Sequence, residues 1–448
     1  PNPNQPPPCN GNGCPKASIS LALVSITVSD RPVGYAPPVG PEVRFHLTYN
    51  QLDTAQPSHP AYSNVGPLWT TDWLAFVSDN PQSLGQNVTV ALPGGGSRPY
   101  AGYVANGTGG AYAPEERTGA ILTLVASSPI VYQRRFPDGS MEVYAHSDGS
   151  TGTSRRVFLT KTVDKHGNAL TFGYDATLRM TTVTDAIGQV TTLQYASTAN
   201  PRLITGVTDP FGRQAALGYD ADGRLASLTD AIGIHSTFAY DNANNLTAMT
   251  TPYGTTSFTT WADPGGANHR YVEMTDPLHH TTRVEFVHAA PGIPFSESLA
   301  PRGMNLFNVY INYRNTFVWD GAAFARAKGD YTQAMIYHWL HELDTSTTSG
   351  VLESTKPPLE NRVWYNYPGQ GQALSVGTLD KPSLIGRVLP DGTTQLTAIG
   401  YDAAANPTSV TDPVGRRTNY TYDATGIDLV SATQKTAIGT DTLSTLSY

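Results

Sequence analysis

Tyr219-Asp220-Ala221-Asp222-Gly223-Arg224-Leu225 runs on to Thr229-Asp230-Ala231-Ile232-Gly233, two phrases that frame one short strand between two turns. Upstream, Ala215, Leu217 and Tyr219 alternate with Gln214, Ala216 and Gly218, the period of a half-buried strand. Asp209-Pro210-Phe211-Gly212 and Asp412-Pro413-Val414-Gly415 place Asp at i, Pro at i+1 and Gly at i+3, the preferences of a type I turn. A second turn follows each Tyr-Asp pair, so one unit codes two strands and two turns.

The unit repeats. Asp164 to Asp185, Asp209 to Asp230 and Asp391 to Asp412 are steps of 21 residues, and Asp185 to Asp209 is a step of 24. Tyr174 to Tyr195, Tyr219 to Tyr240, Tyr240 to Trp261 and Tyr401 to Tyr422 are also 21 apart. The repeat-defining residues are Tyr174, Asp175, Tyr195, Tyr219, Asp220, Gly223, Tyr240, Asp241, Tyr401, Asp402, Tyr422 and Asp423, with turns at Asp185/Gly188, Asp209/Gly212, Asp230/Gly233 and Asp412/Gly415. A hairpin this small cannot bury its face alone. Neighbours must therefore pair edge to edge into a long antiparallel ribbon that coils by its own twist. The fold class is mainly β, with a small helical insertion.

The 448 residues allow several domains of ordinary size or one elongated repeat body. Only 14% are charged, while 42 Gly and 34 Pro favour turns and strands. Acids exceed bases, 36 to 28, and the net charge of −8 argues against nucleic acid or an anionic membrane surface as partner. The most apolar stretch, Ala17 to Val28, is broken by Ser18, Ser20 and Ser25, too short and too polar for a membrane span.

Along the chain we expect a Pro/Asn/Gly-rich leader at 1–16, a β-rich leading domain at 17–130, and repeats at 131–303 and 381–448. Residues 304–380 break the period and read as an insertion with one or two helices. Asp330-Tyr331-Thr332-Gln333 offers a capping box before Ala334 to Leu343, which predicts a helix of three turns. Trp69 and Trp73 are expected in the core. The chain opens on Pro1 with no initiator Met, basic region or apolar region, so any signal segment is expected to have been removed. The chain stops at Tyr448 where a repeat would next place Asp, which reads as truncation in mid-repeat.

No catalytic constellation emerges. His338, His341 and Glu342 lack the spacing of a zinc motif, and adjacent Glu115 and Glu116 would point to opposite faces of a strand. His279, His280 and His288 read as a variant turn and its surroundings. Each Asp turn supplies one carboxylate, which suits turn capping better than calcium. No cofactor and no metal is expected. Cys9 and Cys14 are the only cysteines; a small disulfide loop is one reading, two unpaired thiols the other. Sequons begin at Asn87, Asn106, Asn245 and Asn419, tripeptides that a Thr-rich chain also produces by chance. The repeat rings form either an inner packed ladder or an exposed sugar platform.

The Tyr219–Gly233 phrases resemble the YD, or RHS, repeats of bacterial secreted proteins, toxin-complex shells and teneurins, and the resemblance extends over about 130–448. Asp30-Arg31-Pro32-Val33-Gly34-Tyr35-Ala36-Pro37-Pro38 through Leu68-Trp69-Thr70-Thr71-Asp72-Trp73 is similar to the region that precedes repeats in large RHS proteins. The resemblance implies a β-shell or surface fibre, secreted or on the bacterial cell surface, that encloses or displays a C-terminal effector. Such shells are often opened by a self-cleaving aspartyl-type site, whose D-P-x-G and G-x-N-x-Y elements are not completed here: Asp412-Pro413-Val414-Gly415 continues into Arg416-Arg417-Thr418-Asn419-Tyr420. The expected role is structural and non-enzymatic, with the remainder of a larger chain or neighbouring copies as partners. The alternative is a surface adhesin that binds glycans.

Overall fold

The computed structural model describes residues 14–447 apart from 54–55, 57–59, 108, 116, 267 and 436–438. The chain divides into two compact units, one of residues 1–18 and 25–258, the other of residues 19–24 and 259–448. Strands dominate both, and every pair of named strands whose register is defined is antiparallel.

β1 (Lys16–Ser20) begins in the first unit, which holds a small sheet of β2 (Ser25–Tyr35), β3 (Val43–Asn50) and β4 (Trp69–Thr71). Its inward residues Ile26, Val28, Phe45, Leu47, Tyr49 and Trp69 are fully buried. The repeats run beside it as consecutive hairpins, with strands such as Gln214–Tyr219, Leu225–Thr229, His235–Tyr240 and Leu246–Thr251 each paired to the next. The strands Gln214–Tyr219 and His235–Tyr240 bury alternate residues, Ala215 and Leu217 or Ser236 and Phe238. That face meets the small sheet: Trp69 packs edge-on against Phe238 with centroids 4.9 Å apart, and Trp73 lies 6.4 Å from Phe172. The two tryptophans are thus core residues.

A recurrent irregularity shapes the hairpins. The ladder slips by one residue at Gly173/Tyr174, Gly218/Tyr219, Ala239/Tyr240, Gly400/Tyr401 and Thr421/Tyr422. A bulge adds one residue on one strand and flips the side chains beyond it. Leu225 and Leu228, three apart, therefore both face inward.

The strand Arg155–Val163 is a fork. One edge pairs along its length with Met141–Ser147, while the other is shared: residues 155–158 pair with β5 (Phe76–Asp79) and residues 161–163 with the first repeat hairpin.

In the second unit the hairpins continue without a break through the stretch expected as an insertion. Thr281–Ala289, Tyr313–Trp319, Met335–His341, Thr348–Lys356, Val363–Asn366 and Leu384–Val388 pair in that order. The three-turn helix expected after Asp330 is not there. Asp330 does cap Thr332, but only for the single 3₁₀ turn Tyr331–Gln333, and Met335–His341 is a strand. The reason lies in its side chains: Met-Ile-Tyr-His-Trp-Leu-His is rich in β-formers and has a sheet partner on each side, a context that outweighs a local cap. A short helix, α1 (Gly321–Ala327), is capped by Asp320 and packs Phe324 on the cluster of Val287, Phe317, Trp319 and Ile336.

Leu225 is fully buried and Ile232, in the next turn, is 77% exposed. Leu225→Ala is expected to lower the unfolding free energy by about 2–5 kcal/mol in urea titration, and Ile232→Ala by no more than about 0.5 kcal/mol.

Candidate functional site

The working parts of the repeat are two polar devices, one at each kind of position the sequence marked. In the turn, Asp209 accepts from Phe211 N at 2.9 Å and Arg213 N at 3.0 Å through one carboxylate oxygen and from Arg213 Nε at 2.7 Å through the other. Its carbonyl accepts from Gly212 N at 3.1 Å, closing the turn. Asp175, Asp220 and Asp412 repeat the arrangement with Arg179, Arg224 and Arg416, while Asp241 and Asp402 use Asn245 and Asn406. Gly188, Gly212, Gly223, Gly233 and Gly415 all have φ between 76° and 89°, the left-handed conformation such a three-residue loop requires. Leu178, Asn244 and Ala405 hold the same place with φ of 63–65°. His279 does so in the variant turn, where His280 Nδ1 lies 3.2 Å from Asp276.

Burial alone would raise the Asp220 carboxyl, but the Arg224 guanidinium and backbone N–H groups outweigh it and hold the group below the usual range. The same balance, with Asn245 as partner, lowers Asp241. These carboxylates are staples whose oxygens already have donors.

The second device is a tyrosine clamp. The hydroxyls of Tyr174, Tyr195, Tyr219, Tyr240, Tyr367 and Tyr422 donate to the carbonyls of Leu159, Met180, Ile204, Leu225, Leu352 and Pro407, in each case 15 residues earlier, at 2.6–3.2 Å. Tyr401 reaches Pro382 at 3.0 Å. Burial, helped by the Tyr195 and Tyr240 hydroxyls, holds the Tyr219 phenol well above its ordinary range, so the donated proton stays in place. Tyr367 belongs to the series although it lies in the stretch read as an insertion.

In the first unit the C-terminal end of β2 straps these turns. Tyr35 donates to Asp185 at 3.0 Å and packs edge-on against Phe211, Arg213 donates to the Gly34 carbonyl at 3.0 Å, and Ala231 N donates to the Pro32 carbonyl at 2.8 Å. A cleft of about 470 Å³ remains beside the strap, lined by Arg31, Tyr35, Arg44, Arg213 and Ile232 among others. On the Tyr-Asp side, Ser63 bridges Tyr195 and Met180 N, Trp69 Nε1 donates to Tyr240 at 2.7 Å, and Tyr49 donates to the Asn244 carbonyl at 3.1 Å. Beneath the strap, burial pushes the Asp30 carboxyl up to about 7; Asp230 adds to the rise, while the Arg31 N–H and His46 oppose it.

The remaining candidates are placed as follows. His338 is fully buried, its ring 3.1 Å from Glu353 and 3.1 Å from Asn315, and burial keeps its imidazole below the usual value and neutral. Glu353 also holds Arg314 at 3.1 Å. Neither partner was legible in advance, because each lies on a strand that was expected to belong to an insertion. Burial, with Arg314 and His338 adding to it, holds the His341 imidazole below its usual value, and Glu342 starts the next turn, its N–H donating to the Thr347 carbonyl. Glu115 is buried against Thr118 and Arg98; Glu116 lies outside the described residues. Cys14 is buried, and Cys9 lies outside the described residues.

The fold and its two devices define a class, the antiparallel hairpin-repeat protein stitched by tyrosine and aspartate. Within that class the chain carries RHS repeats: the RHS Repeat family model matches residues 202–231, 219–256 and 401–427. No curated protein matches the sequence. Among solved structures, the crystal structure of TcdB2-TccC3-TEV is 11% identical over 94% of this chain with a TM-score of 0.33. A Photorhabdus luminescens Tc holotoxin pore is 12% identical over 83% of this chain with a TM-score of 0.31. This chain spans 22% of the length of either. Similarity at that level transfers no function.

Two measurements test the devices. Tyr219→Phe leaves the Ile204 carbonyl without its donor and is expected to cost about 1–3 kcal/mol in urea unfolding. Asp30 behaves oppositely to a paired carboxylate: its raised native value means that folding is opposed as pH rises from about 4 toward 7, where the unfolded chain has lost the proton and the native one has not. Asp30→Asn keeps an acceptor for Arg31 N and removes that opposition. The variant is expected to gain stability over the wild type at pH 8, by at most about 4 kcal/mol, and to lose the advantage at pH 4.

Proposed function

We propose that this chain is a structural repeat segment of an exported protein, building part of a β-shell or extracellular fibre that encloses or displays an effector, and that it performs no catalysis itself. The observation that carries the reading is the clamp at 15-residue separation, which fastens each hairpin to its predecessor using only groups of the chain. A wall made this way extends by adding units and needs no ligand or metal at any joint. The Asp and Tyr side chains that a sequence reader would offer to chemistry are occupied by that fastening. The RHS repeat matches support the same reading, and its partners are then the remainder of a larger chain or neighbouring copies.

The test is the intact mass of the native polypeptide under denaturing, reducing conditions. A mass several times 47.9 kDa is expected of a shell or fibre that carries a further segment. A mass near 47.9 kDa would overturn encapsulation by this chain.

A further inference from the structure

Asp209-Pro210-Phe211-Gly212-Arg213 and Asp412-Pro413-Val414-Gly415-Arg416 are one turn written twice, once in each unit. In both, the Asp carboxylate accepts from the backbone N–H groups of the third and fifth residues and from the Arg Nε, and the Gly is left-handed, with φ of 80° and 86°. They also hold the same place in the ladder. Turn 209–213 follows turn 185–189 along one sheet edge at a distance of two strand spacings, about 10 Å, and turn 412–416 follows turn 389–393 in the same way.

The two turns differ in what lies on them. On the first, the strap sets the Tyr35 ring edge-on against Phe211 with centroids 5.2 Å apart, places the Gly34 carbonyl 3.0 Å from an outer nitrogen of Arg213, and bonds the Tyr35 hydroxyl to Asp185, one turn upstream, at 3.0 Å. A ring, the carbonyl before it and its hydroxyl thus engage three groups on two turns. The second turn offers three groups of the same kinds. Val414, in the Phe211 position, is 76% exposed. Arg416 commits its Nε to Asp412, and among the described residues its outer nitrogens donate to no carbonyl. Asp391, one turn upstream, accepts from the N–H and the hydroxyl of Thr393 through one oxygen, and among the described residues the other oxygen has no donor. The side chains of Asp209 and Arg213 are 1% and 46% exposed under the strap, those of Asp412 and Arg416 28% and 69%.

An exposed apolar side chain alone needs no explanation. The set does, and other exposed turn tips lack it: the turn of Ile232 is followed by Ile234, which has no side-chain donor, and that of Leu278 by His280. The first turn also specifies what fits. Its occupant is extended, with a small residue before the Tyr whose carbonyl the guanidinium can reach, and Pro32, Pro37 and Pro38 on either side of that pair hold the chain extended and lower the cost of ordering it. One cation and one free carboxylate oxygen balance, which suits an uncharged segment.

We propose that the edge formed by Asp391, Val414 and Arg416 is a docking site for an extended, proline-flanked Gly-Tyr segment of a partner, bound as the strap is bound by Asp185, Phe211 and Arg213. The probe is a synthetic peptide with the sequence of residues 29–40, titrated into the full chain and read by saturation-transfer NMR on the peptide's tyrosine ring. Binding in the millimolar range or tighter is expected, because a free peptide must be ordered on a small site. Val414→Asp, whose side chain makes none of the turn's hydrogen bonds, is expected to weaken it about tenfold, and so is Tyr35→Ala in the peptide. Should Val414→Asp fail to fold by circular dichroism, Asp391→Ala removes the acceptor for the tyrosine hydroxyl and is expected to show the same loss. Three results would overturn the proposal: no transfer to the peptide, equal affinity for wild type and the folded variant, which would place the peptide on the first unit, or undiminished binding of the Tyr35→Ala peptide.

Discussion

The rest of the structure depends on one hydrogen bond repeated along the chain, from a tyrosine hydroxyl to the carbonyl 15 residues before it. A two-stranded hairpin of five-residue strands is marginal alone, and its ladder hydrogen bonds exchange almost evenly with water. The clamp links two slips of the ladder: Tyr240 stands at one, and its hydroxyl reaches the carbonyl of Leu225, at the slip of the hairpin before. There the backbone would otherwise expose an unmatched carbonyl beside a buried Leu or Met. The hydroxyl fills that vacancy, and the ring covers the side chain. Bulge, ring and carbonyl are therefore one device, and losing any part leaves a polar group stranded in an apolar layer.

The turns solve a different problem. Each must reverse the chain within three residues and present its strand in a set register. The Asp carboxylate takes two backbone N–H groups and an Arg, Asn or His side chain, and the left-handed residue supplies the reversal. Since every staple uses groups within five residues of itself, it forms with its own hairpin. The clamp and the strap then join hairpins that local chemistry has already shaped.

Much of this was legible because it is local. Asp, Gly and Tyr recur with a fixed phase, and their conformational preferences alone dictate turns and strands. The bulge was hidden, although Leu225 and Leu228 carry its trace: two inward leucines three apart contradict a period of two. Met335–His341 was misread because a sound N-cap signal preceded it, and only the strands on either side decide between helix and sheet. The Glu353–His338–Arg314 group was invisible for the same reason, as no spacing along the chain announces partners brought together by strand pairing. Tyr35 and Asp185 are likewise 150 residues apart, so the strap could be recognised as a distinctive phrase but not seated.

The mixture of separations sets an order for assembly. Hairpins closed by staples and joined across 15 residues can form as soon as they leave the ribosome, because short loops cost little entropy to close. The small sheet is synthesised before the repeats that cover it and cannot finish its core so early. Tyr49 waits for Asn244, Trp69 for Phe238 and Tyr240, and β5 for the fork strand 76 residues on. Its apolar face, with Phe45, Leu47 and Trp69, is uncovered in the meantime. A sheet made before the repeats that cover it is thus a part in need of protection from aggregation during synthesis.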